Sequence, residues 1–226
     1  ARRLAHEIKN PLTPIQLSAE RLAMKLEGKV QPSEQAILNK SVRTIVDQVD
    51  AMKRLVNEFR DYARLPAAHL APTDLNALIK EYVNLSFHGM RAGKNPIDVE
   101  IVLDLDPEVK EVALIKEDFT RVIINLCNNA FDAMRTVTTL HAASLSVRTK
   151  KQGDTITIEV ADNGPGIPDD IKDKILQPFF TTKKGTEGTG LGLSITHDIV
   201  MAHGGELRVE SSEGEYTTIT IILPAK

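Results

Sequence analysis

Apolar residues along the first 64 positions recur at intervals of three, four and seven, the spacing that places them on one face of an α-helix. The first series consists of Leu4, Ile8, Leu12, Ile15, Leu22 and Leu26. The second consists of Leu38, Ile45, Val49, Met52, Val56, Phe59 and Ala63. Gly28 and Pro32-Ser33 separate the two series, so we predict two helices joined by a turn of about four residues, with Ser33 as the N-cap of the second. This antiparallel hairpin would bury little surface alone, and we expect a second copy to complete a four-helix bundle.

The pattern changes in the remainder of the chain, where apolar and polar residues alternate in short segments. Alternation predicts strands at 98–104, 155–160 and 218–221, with shorter strands at 145–149 and 206–210. Helical spacing occupies the segments 74–88, 114–134 and 191–203. Because the strands and helices are interspersed without regular βαβ alternation, we predict an α/β sandwich, with a mixed sheet and helices on one face.

The boundary between the two patterns is the segment 65–72, whose prolines Pro66 and Pro72 would interrupt a helix. The charge also changes there, since residues 1–64 hold 12 Lys and Arg against 8 Asp and Glu, a net of +4, and the remainder has a net of −7. We therefore predict an α+β chain with a helical hairpin at 1–64, a linker at 65–72 and a second domain at 73–226.

Composition narrows the function classes. The chain has 226 residues, of which 42% are hydrophobic and 26% charged, values typical of a globular protein. It has no apolar run of the ~20 residues that a membrane helix needs, and its net charge of −3 gives no support to nucleic-acid binding. Cys127 is the only cysteine, which excludes a disulfide scaffold, and its apolar neighbours place it in the core. We expect neither a nucleic-acid partner nor membrane contact by this stretch.

One cluster in the first helix is His6-Glu7-Ile8-Lys9-Asn10-Pro11. The heptad positions taken as most buried are Ile8, Ile15 and Leu22. The opposite, solvent-facing positions are then His6, Thr13, Glu20 and Glu27. A carboxylate beside an exposed imidazole can hold its tautomer and accept its proton, so that a ring nitrogen becomes a nucleophile. An ordinary surface histidine is the alternative.

A second cluster lies in the predicted helix 114–134. Its core-facing residues are Phe119, Ile123, Leu126, Ala130 and Ala133. A separate polar stripe consists of Asn125, Asn129 and Asp132, and this composition is unusual for a plain solvent face because asparagine is a mediocre helix former. Amide and carboxylate oxygens on one face can bind Mg²⁺, which shares phosphate oxygens with its protein ligands.

The segment Asp162-Asn163-Gly164-Pro165-Gly166 follows a predicted strand directly. An ordinary turn is the alternative, but a hydrophobic strand that ends in an aspartate favours a site. A buried carboxylate there could accept a hydrogen bond from an exocyclic amine, while the glycines would let a flat ring approach the backbone.

A glycine-rich loop, residues 185–193, opens the last predicted helix, with Lys183 and Lys184 just before it. Such loops bind phosphates through backbone N–H groups and the positive end of the helix dipole. The spacing fits neither a Walker A loop nor a dinucleotide fingerprint. A flexible linker is disfavoured by the helix that follows at once.

These clusters, in this order, resemble the transmitter of a bacterial sensor histidine kinase over essentially the whole chain. The matching segments are His6 to Pro11 (H box), Asn125 to Ala133 (N box), Asp162 to Gly166 (G1 box), Phe179 to Lys183 (F box) and Gly188 to Gly192 (G2 box). The phrase from Leu12 to Leu22 further resembles nitrogen-regulation sensors of the NtrY type.

The resemblance implies an ATP-binding fold shared with Hsp90, gyrase and MutL, joined to a dimeric hairpin. It implies that His6 is the phosphoacceptor through Nε2, that Glu7 is the general base, and that Asn10 orients water when a partner response regulator is dephosphorylated. The need for ATP implies a cytoplasmic location, and the family implies an inner-membrane anchor in the parent protein.

The resemblance also implies an ATP and Mg²⁺ site. Asn129 would be the Mg²⁺ ligand, supported by Asn125, and Asp162 would bind the adenine amine. The glycines implied to shape the purine pocket and to wrap the triphosphate are Gly164, Gly166, Gly188, Gly190 and Gly192. Further ATP-binding positions are Asp132, Phe180, Lys183, Thr189 and Leu191, and residues 167–187 would form a mobile lid.

Two other functions stay open at this point. The first is an ATPase of the same superfamily, although related ATPases carry a glutamate where Asn125 stands. The second is a docking module that only removes phosphate from a partner. The hairpin that carries His6 would have no role in such an ATPase, and intact His6, Glu7, Asn129 and Asp162 disfavour the docking module.

Overall fold

The computed structural model describes residues 2–62, 69–93, 95–135, 142–183 and 188–225, without the side chains of residues 2–6, 58 and 60–62. The chain divides into two compact units. Unit 1 comprises Ala1–Ala67 and Phe179–Leu191, and unit 2 comprises Ala68–Pro178 and Gly192–Lys226. The limits 1–64, 65–72 and 73–226 stay a prediction, since the first half of the expected linker lies outside the described residues and its last two positions begin a strand.

Unit 1 contains two long helices, α1 (Arg2–Leu26) and α2 (Pro32–Tyr62), which pack against each other as the sequence pattern predicts. The residues buried between them are Leu12, Ala19, Val49 and Val56. Ile15 and Leu22, predicted as the most buried positions, are 49% and 55% exposed in the single hairpin. Two helices can cover only one line of each other's surface, so the neighbouring apolar line stays on the outside.

The start of α2 also differs from the expectation, because Ser33 is not its N-cap. The helix begins at Pro32, where the fixed φ of proline suits the first helical position. Two residues later Glu34 accepts a hydrogen bond of 3.1 Å from the backbone N–H of Gln31. Gln31 and Glu34 thus supply one half of a capping box, and Ser33 lies inside the first turn.

Unit 2 contains a five-stranded sheet, a two-stranded ribbon and four helices within its described residues. Its elements are β1 (Ala71–Asp74), α3 (Leu75–Arg91), β2 (Val99–Leu105), β3 (Glu111–Leu114), α4 (Lys116–Arg135), β4 (Ala143–Gln152), β5 (Thr155–Asp162), α5 (Asp169–Lys172), α6 (Gly192–Ala202), β6 (Glu206–Ser212) and β7 (Tyr216–Pro224). The sheet has the order β2-β4-β5-β7-β6. Its β2–β4 pair is parallel and the other pairs are antiparallel, so the predicted mixed sheet is confirmed.

The ribbon of β1 and β3 and the single turn of α5 were not predicted. Each has four residues, too short for a periodicity to show, and β1 contains Pro72, which was read as part of a linker. In the structure Asp74 ends β1 and also caps α3, since its Oδ1 accepts the backbone N–H of Ala77 at 2.9 Å.

The core lies between one face of the sheet and helices α3, α4 and α6. Along β5 the buried positions alternate strictly, at Ile156, Ile158, Val160 and Asp162. Side chains two residues apart share a face of a strand, so the strand delivers a carboxylate to the same buried side as its apolar residues. The sequence of β5 therefore places Asp162 at the edge of the core.

Candidate functional site

Asp162 is a carboxyl group held in a poorly hydrated position. It is 9% exposed, and its Oδ1 accepts a hydrogen bond of 2.9 Å from the backbone N–H of Gly164. Burial raises the pKa of Asp162 from 3.8 to about 6, against the opposite effect of that hydrogen bond. The carboxylate can therefore accept a strong hydrogen bond from a donor that arrives from outside.

The loop after β5 packs against α4. A β-carbon at Gly164 would lie 2.6 Å from Oδ1 of Asp162 and 3.2 Å from the β-carbon of Ala133. Ala133 follows Asn129 by one helical turn, so the loop and the polar stripe of α4 meet in one region of unit 2. Only a residue without a side chain allows this approach, which explains the glycine at position 164.

The same loop is fastened to the turn between β6 and β7. Gly166 has a φ of +67°, and a β-carbon there would lie 2.0 Å from the carbonyl oxygen of Ser212. The backbone N–H of Ile167 donates to Oγ of Ser211 at 2.8 Å, and the backbone N–H of Gly214 donates to the carbonyl of Pro165 at 2.7 Å. These contacts fix the backbone that flanks Asp162.

The polar stripe of α4 has different environments along its length. Nδ2 of Asn125 donates to the carbonyl of Gly192 at 3.1 Å, which leaves the amide oxygen of Asn125 as the atom it can offer to a cation. Asn129 is half-buried. Asp132 forms an ion pair of 2.6 Å with Arg135, whose Nε also donates to the carbonyl of Asn95.

Thr217 is a site neighbour that the sequence analysis missed. It is the register partner of Asp162 on β7, is 7% exposed, and its Oγ1 lies 3.0 Å from Oγ of Ser211. The signal was available, because Thr217 continues the buried alternation of Ile219, Ile221 and Leu223 and is its only polar member. Its register with Asp162 depends on strand pairing, which the sequence does not show.

The predicted F box and the first four residues of the G2 box belong to unit 1, whereas Gly192 belongs to unit 2. The backbone N–H of Phe179 donates to the carbonyl of Gly190 at 2.9 Å, so the two ends of this segment meet. Gly190 has a φ of +70°, and a β-carbon there would lie 2.4 Å from the carbonyl carbon of Phe179. The other predicted positions of this segment are Phe180, Lys183, Gly188 and Thr189, which are half-buried, and Leu191, which is buried. Lys184 and the rest of 184–187 lie outside the described residues.

The H box lies on α1, which continues as a helix through Pro11 and Pro14. Glu7 and Asn10 are exposed, as expected of a solvent-facing cluster. The side chain of His6 is outside the described part of the structure, so its predicted exposure is not tested.

The described residues contain no group of three His, Cys, Asp or Glu side chains arranged to hold a metal ion. They also contain no helix both long and apolar enough to cross a bilayer. Cys127 is fully buried and its pKa is raised to about 12 by burial, which agrees with its predicted place in the core.

The N-terminal and C-terminal parts of the chain each match a known domain family. Residues 1–68 match the His Kinase A (phospho-acceptor) domain, and residues 115–226 match the histidine kinase-, DNA gyrase B- and HSP90-like ATPase. The nitrogen regulation protein NtrY of Azorhizobium caulinodans is 35% identical over 230 residues, which cover 100% of this chain and 28% of NtrY. This chain thus spans just over a quarter of the length of that relative.

Two solved structures have a similar fold. Full-length ShkA in complex with AMPPNP has a TM-score of 0.69 at 24% identity, over 99% of this chain and 45% of ShkA. The histidine kinase ThkA in complex with the response regulator TrrA has a TM-score of 0.66 at 26% identity, over 100% of this chain and 60% of the ThkA chain. The phosphoacceptor match on the hairpin and the ATPase match on the sheet unit together show that the chain belongs to the sensor histidine kinase family.

Proposed function

We propose that the chain transfers the γ-phosphoryl group of ATP to Nε2 of His6 and then to an aspartate in the receiver domain of a response regulator. In the first step the Nε2 lone pair forms the N–P bond, the bond between the γ-phosphorus and its bridging oxygen breaks, and ADP leaves. The carboxylate of Glu7 takes the imidazole proton. The observation that carries the proposal is the buried carboxylate of Asp162 beside the polar stripe of α4, on a chain whose other end matches a phosphoacceptor domain.

Asp162 is proposed to bind the adenine amine. Its position at the end of β5, its burial and its fixed hydrogen bond to Gly164 suit an acceptor that distinguishes a purine bearing an exocyclic amine from one without. Thr217, opposite Asp162 on β7, adds a hydroxyl to the same end of the sheet.

Asn125 and Asn129 on α4 are suitable ligands for a Mg²⁺ ion that is bound mainly by the phosphates of ATP. Asn129 is the proposed ligand and Asn125 supports it, and carboxamide oxygens are ligands that Mg²⁺ accepts while it keeps several waters. When bound, Mg²⁺ neutralises charge on the phosphates. Asn125 replaces the glutamate that would activate water, and this favours transfer to histidine over hydrolysis.

The proposed reaction depends mainly on positioning. His6 lies in unit 1 and Asp162 in unit 2. Phosphoryl transfer requires in-line approach of the imidazole to within about 3–3.5 Å of the reacting phosphorus, so the hairpin and the nucleotide unit must be able to move to that geometry. The linker at 65–72 and the lid at 167–187 are the predicted sites of this movement, and the predicted contacts of Gly188, Gly190 and Gly192 with the triphosphate belong to the same proposal.

We further propose that the hairpin forms a homodimer. Apolar side chains that its own two helices leave exposed include Ile15, Leu22, Ile45 and Met52. They lie three or four residues from the buried residues Leu12, Ala19, Val49 and Val56, and so on the adjoining part of each helix surface. A second hairpin would cover them in a four-helix bundle.

The proposed partner is a response regulator receiver domain, with phosphatase action through Asn10. ThkA, at 26% identity, forms a complex with the regulator TrrA, and this supports a partner of the same class. The net charge of +4 on residues 1–64 suits an acidic regulator surface. A cytoplasmic location, an inner-membrane anchor in the parent protein and a role in nitrogen regulation belong to the same proposal.

The pH dependence of nucleotide affinity tests the role of Asp162. Since the pKa of Asp162 is about 6, about nine tenths of the carboxyl is protonated at pH 5 and nearly all is ionised at pH 7.5. We expect titration calorimetry to give an ATP affinity about tenfold weaker at pH 5 than at pH 7.5, because the neutral group is the weaker acceptor.

The Asp162→Asn variant is the control. Its side chain cannot ionise, so any pH dependence that remains in its ATP affinity comes from other groups, such as the phosphates of ATP. The variant should bind ATP weakly at both pH values. At neutral pH this variant should fold at least as stably as the wild type. In the wild type Asp162 loses its proton near pH 4 in the unfolded chain but only near pH 6 in the folded chain. The wild type therefore loses stability as the pH rises from about 4 to about 6, and asparagine cannot ionise in this way. An equal pH dependence in both proteins would contradict the assignment.

Labelling with ATP that carries a radioactive γ-phosphate tests the proposed function itself. We expect the protein to acquire label that is stable in base and labile in acid, as a phosphorus–nitrogen bond is. Release of labelled phosphate without labelled protein would instead identify an ATPase. Binding of ATP with neither outcome would favour the docking module.

A further inference from the structure

His203 is a buried imidazole that links α4 and α6, two of the helices of unit 2. It follows α6 directly, is 8% exposed, and packs edge-to-face against Phe119 of α4 at 4.9 Å between ring centroids. Its Nδ1 lies 2.7 Å from the carbonyl oxygen of Ile199, and the backbone N–H of Ile115 donates to its Nε2 at 3.1 Å.

These contacts allow only one protonation state of the ring. Nε2 accepts a hydrogen bond and must be unprotonated, so Nδ1 carries the proton and donates it to Ile199. Ile115 directly precedes α4, and its carbonyl accepts a hydrogen bond from the backbone N–H of Phe119 in the first turn. The imidazole therefore accepts a hydrogen bond from a backbone N–H at the start of α4, where the N–H groups have no partner within the helix.

The contact at His203 has a counterpart at the other end of α6. There Nδ2 of Asn125 donates to the carbonyl of Gly192, the first residue of the helix. Ten residues separate Ile115 from Asn125 and eleven separate Gly192 from His203, which are about 15 and 16 Å along a helix. The two segments have nearly the same length and are joined by a hydrogen bond at each end, so α4 cannot slide along α6 without breaking these bonds.

From this geometry we infer that His203 is a positioning residue for the phosphate end of the nucleotide site. By fixing the start of α4 against the end of α6, it holds Asn125 and Asn129 in register with the α6 N-terminus at Gly192. The N-terminus of a helix binds phosphate, and side-chain amide oxygens bind the cation that accompanies it. The purine is proposed to bind elsewhere, at Asp162. The inference rests on the proposed function, and it assigns a role to a residue outside the five matched motif segments.

The test compares ligands that use different parts of the site. His203→Phe keeps the aromatic contact with Phe119 and removes both hydrogen bonds, and His203→Gln restores an acceptor near the position of Nε2. His197→Phe is the matched control, since His197 is half-buried on the same helix. Calorimetry with Mg-ATP and with adenosine is carried out on the four proteins at a temperature where each is folded.

We expect His203→Phe to bind Mg-ATP about tenfold more weakly than the wild type while its affinity for adenosine changes less than twofold. His203→Gln should recover most of the loss, and His197→Phe should behave as the wild type. Equal loss for both ligands, or no loss for either, would show that His203 serves only folding and would overturn the inference. Failure of the wild type to bind either ligand would overturn the proposed function, and this inference with it.

A measurement on the wild type keeps the inference testable if His203→Phe does not fold. Coupling between two sites is reciprocal, so Mg-ATP should slow hydrogen exchange at the Ile115 amide and adenosine should not. Nitrogen NMR of the ring should show the Nδ1–H form. Exchange at Ile115 that is unaffected by Mg-ATP, or a ring protonated at Nε2, would contradict the proposed link.

Discussion

Replacing His6 with glutamine is expected to abolish phosphoryl transfer to the protein completely while leaving Mg-ATP affinity within about twofold of wild type. A carboxamide nitrogen has no lone pair available for attack on phosphorus, so the chemical step loses its nucleophile. Asp162 and Asn129, two of the proposed nucleotide residues, lie in the other unit, and the substitution alters none of the proposed nucleotide residues. Labelling with γ-labelled ATP, together with calorimetry, measures the two effects separately.

His69→Gln is the matched control, since His69 is an exposed histidine beyond the hairpin helices. It should be labelled as efficiently as the wild type. If label persisted in His6→Gln, the acceptor would be another residue, and the role assigned to the H box would be wrong.

Asn129→Ala is expected to lower the rate of autophosphorylation by about 100-fold. The substitution removes the only side chain proposed to bind Mg²⁺ directly, so the charge on the phosphates is no longer held in one geometry. Adenosine affinity should remain within about twofold, because the purine contacts are made by Asp162 and the loop after it. Single-turnover labelling and adenosine titration check the two parts.

Asn128→Ala provides the control, because Asn128 is adjacent on α4 and exposed. It makes the same chemical change outside the polar stripe and should leave both quantities unaltered. A similar loss of rate in the two variants would indicate a general effect on α4 and would contradict the assignment of Asn129.

Long periodic segments of the chain predicted the fold well. The helices of the hairpin, the three longer helices of unit 2 and all five strands of the main sheet lie where their patterns indicate, because each has enough residues for its period to appear. The four-residue elements β1, β3 and α5 have no such signal. The exposure of Ile15 and Leu22 in the single hairpin shows a limit of periodicity: it identifies an apolar face, but which line of that face is covered depends on the partner that packs there.

The family was recognisable from its motifs, and the comparisons confirm it. For the site, the sequence indicated Asp162 because a strand runs directly into it, and the structure adds its burial and its contact with Gly164. Thr217 and His203 could not be placed in the same way. Each meets its partner across more than 50 residues of sequence, through strand register or helix packing.

The roles proposed for individual residues are still predictions, and the acceptor is the most informative of them. Intact-peptide mass spectrometry at neutral pH, after brief incubation with Mg-ATP, locates the phosphate directly. We predict one added phosphoryl group on the peptide that contains His6, with fragmentation assigning it to that imidazole. A phosphoryl group on any other side chain, or an unmodified chain that nevertheless consumes ATP, would contradict transfer to His6.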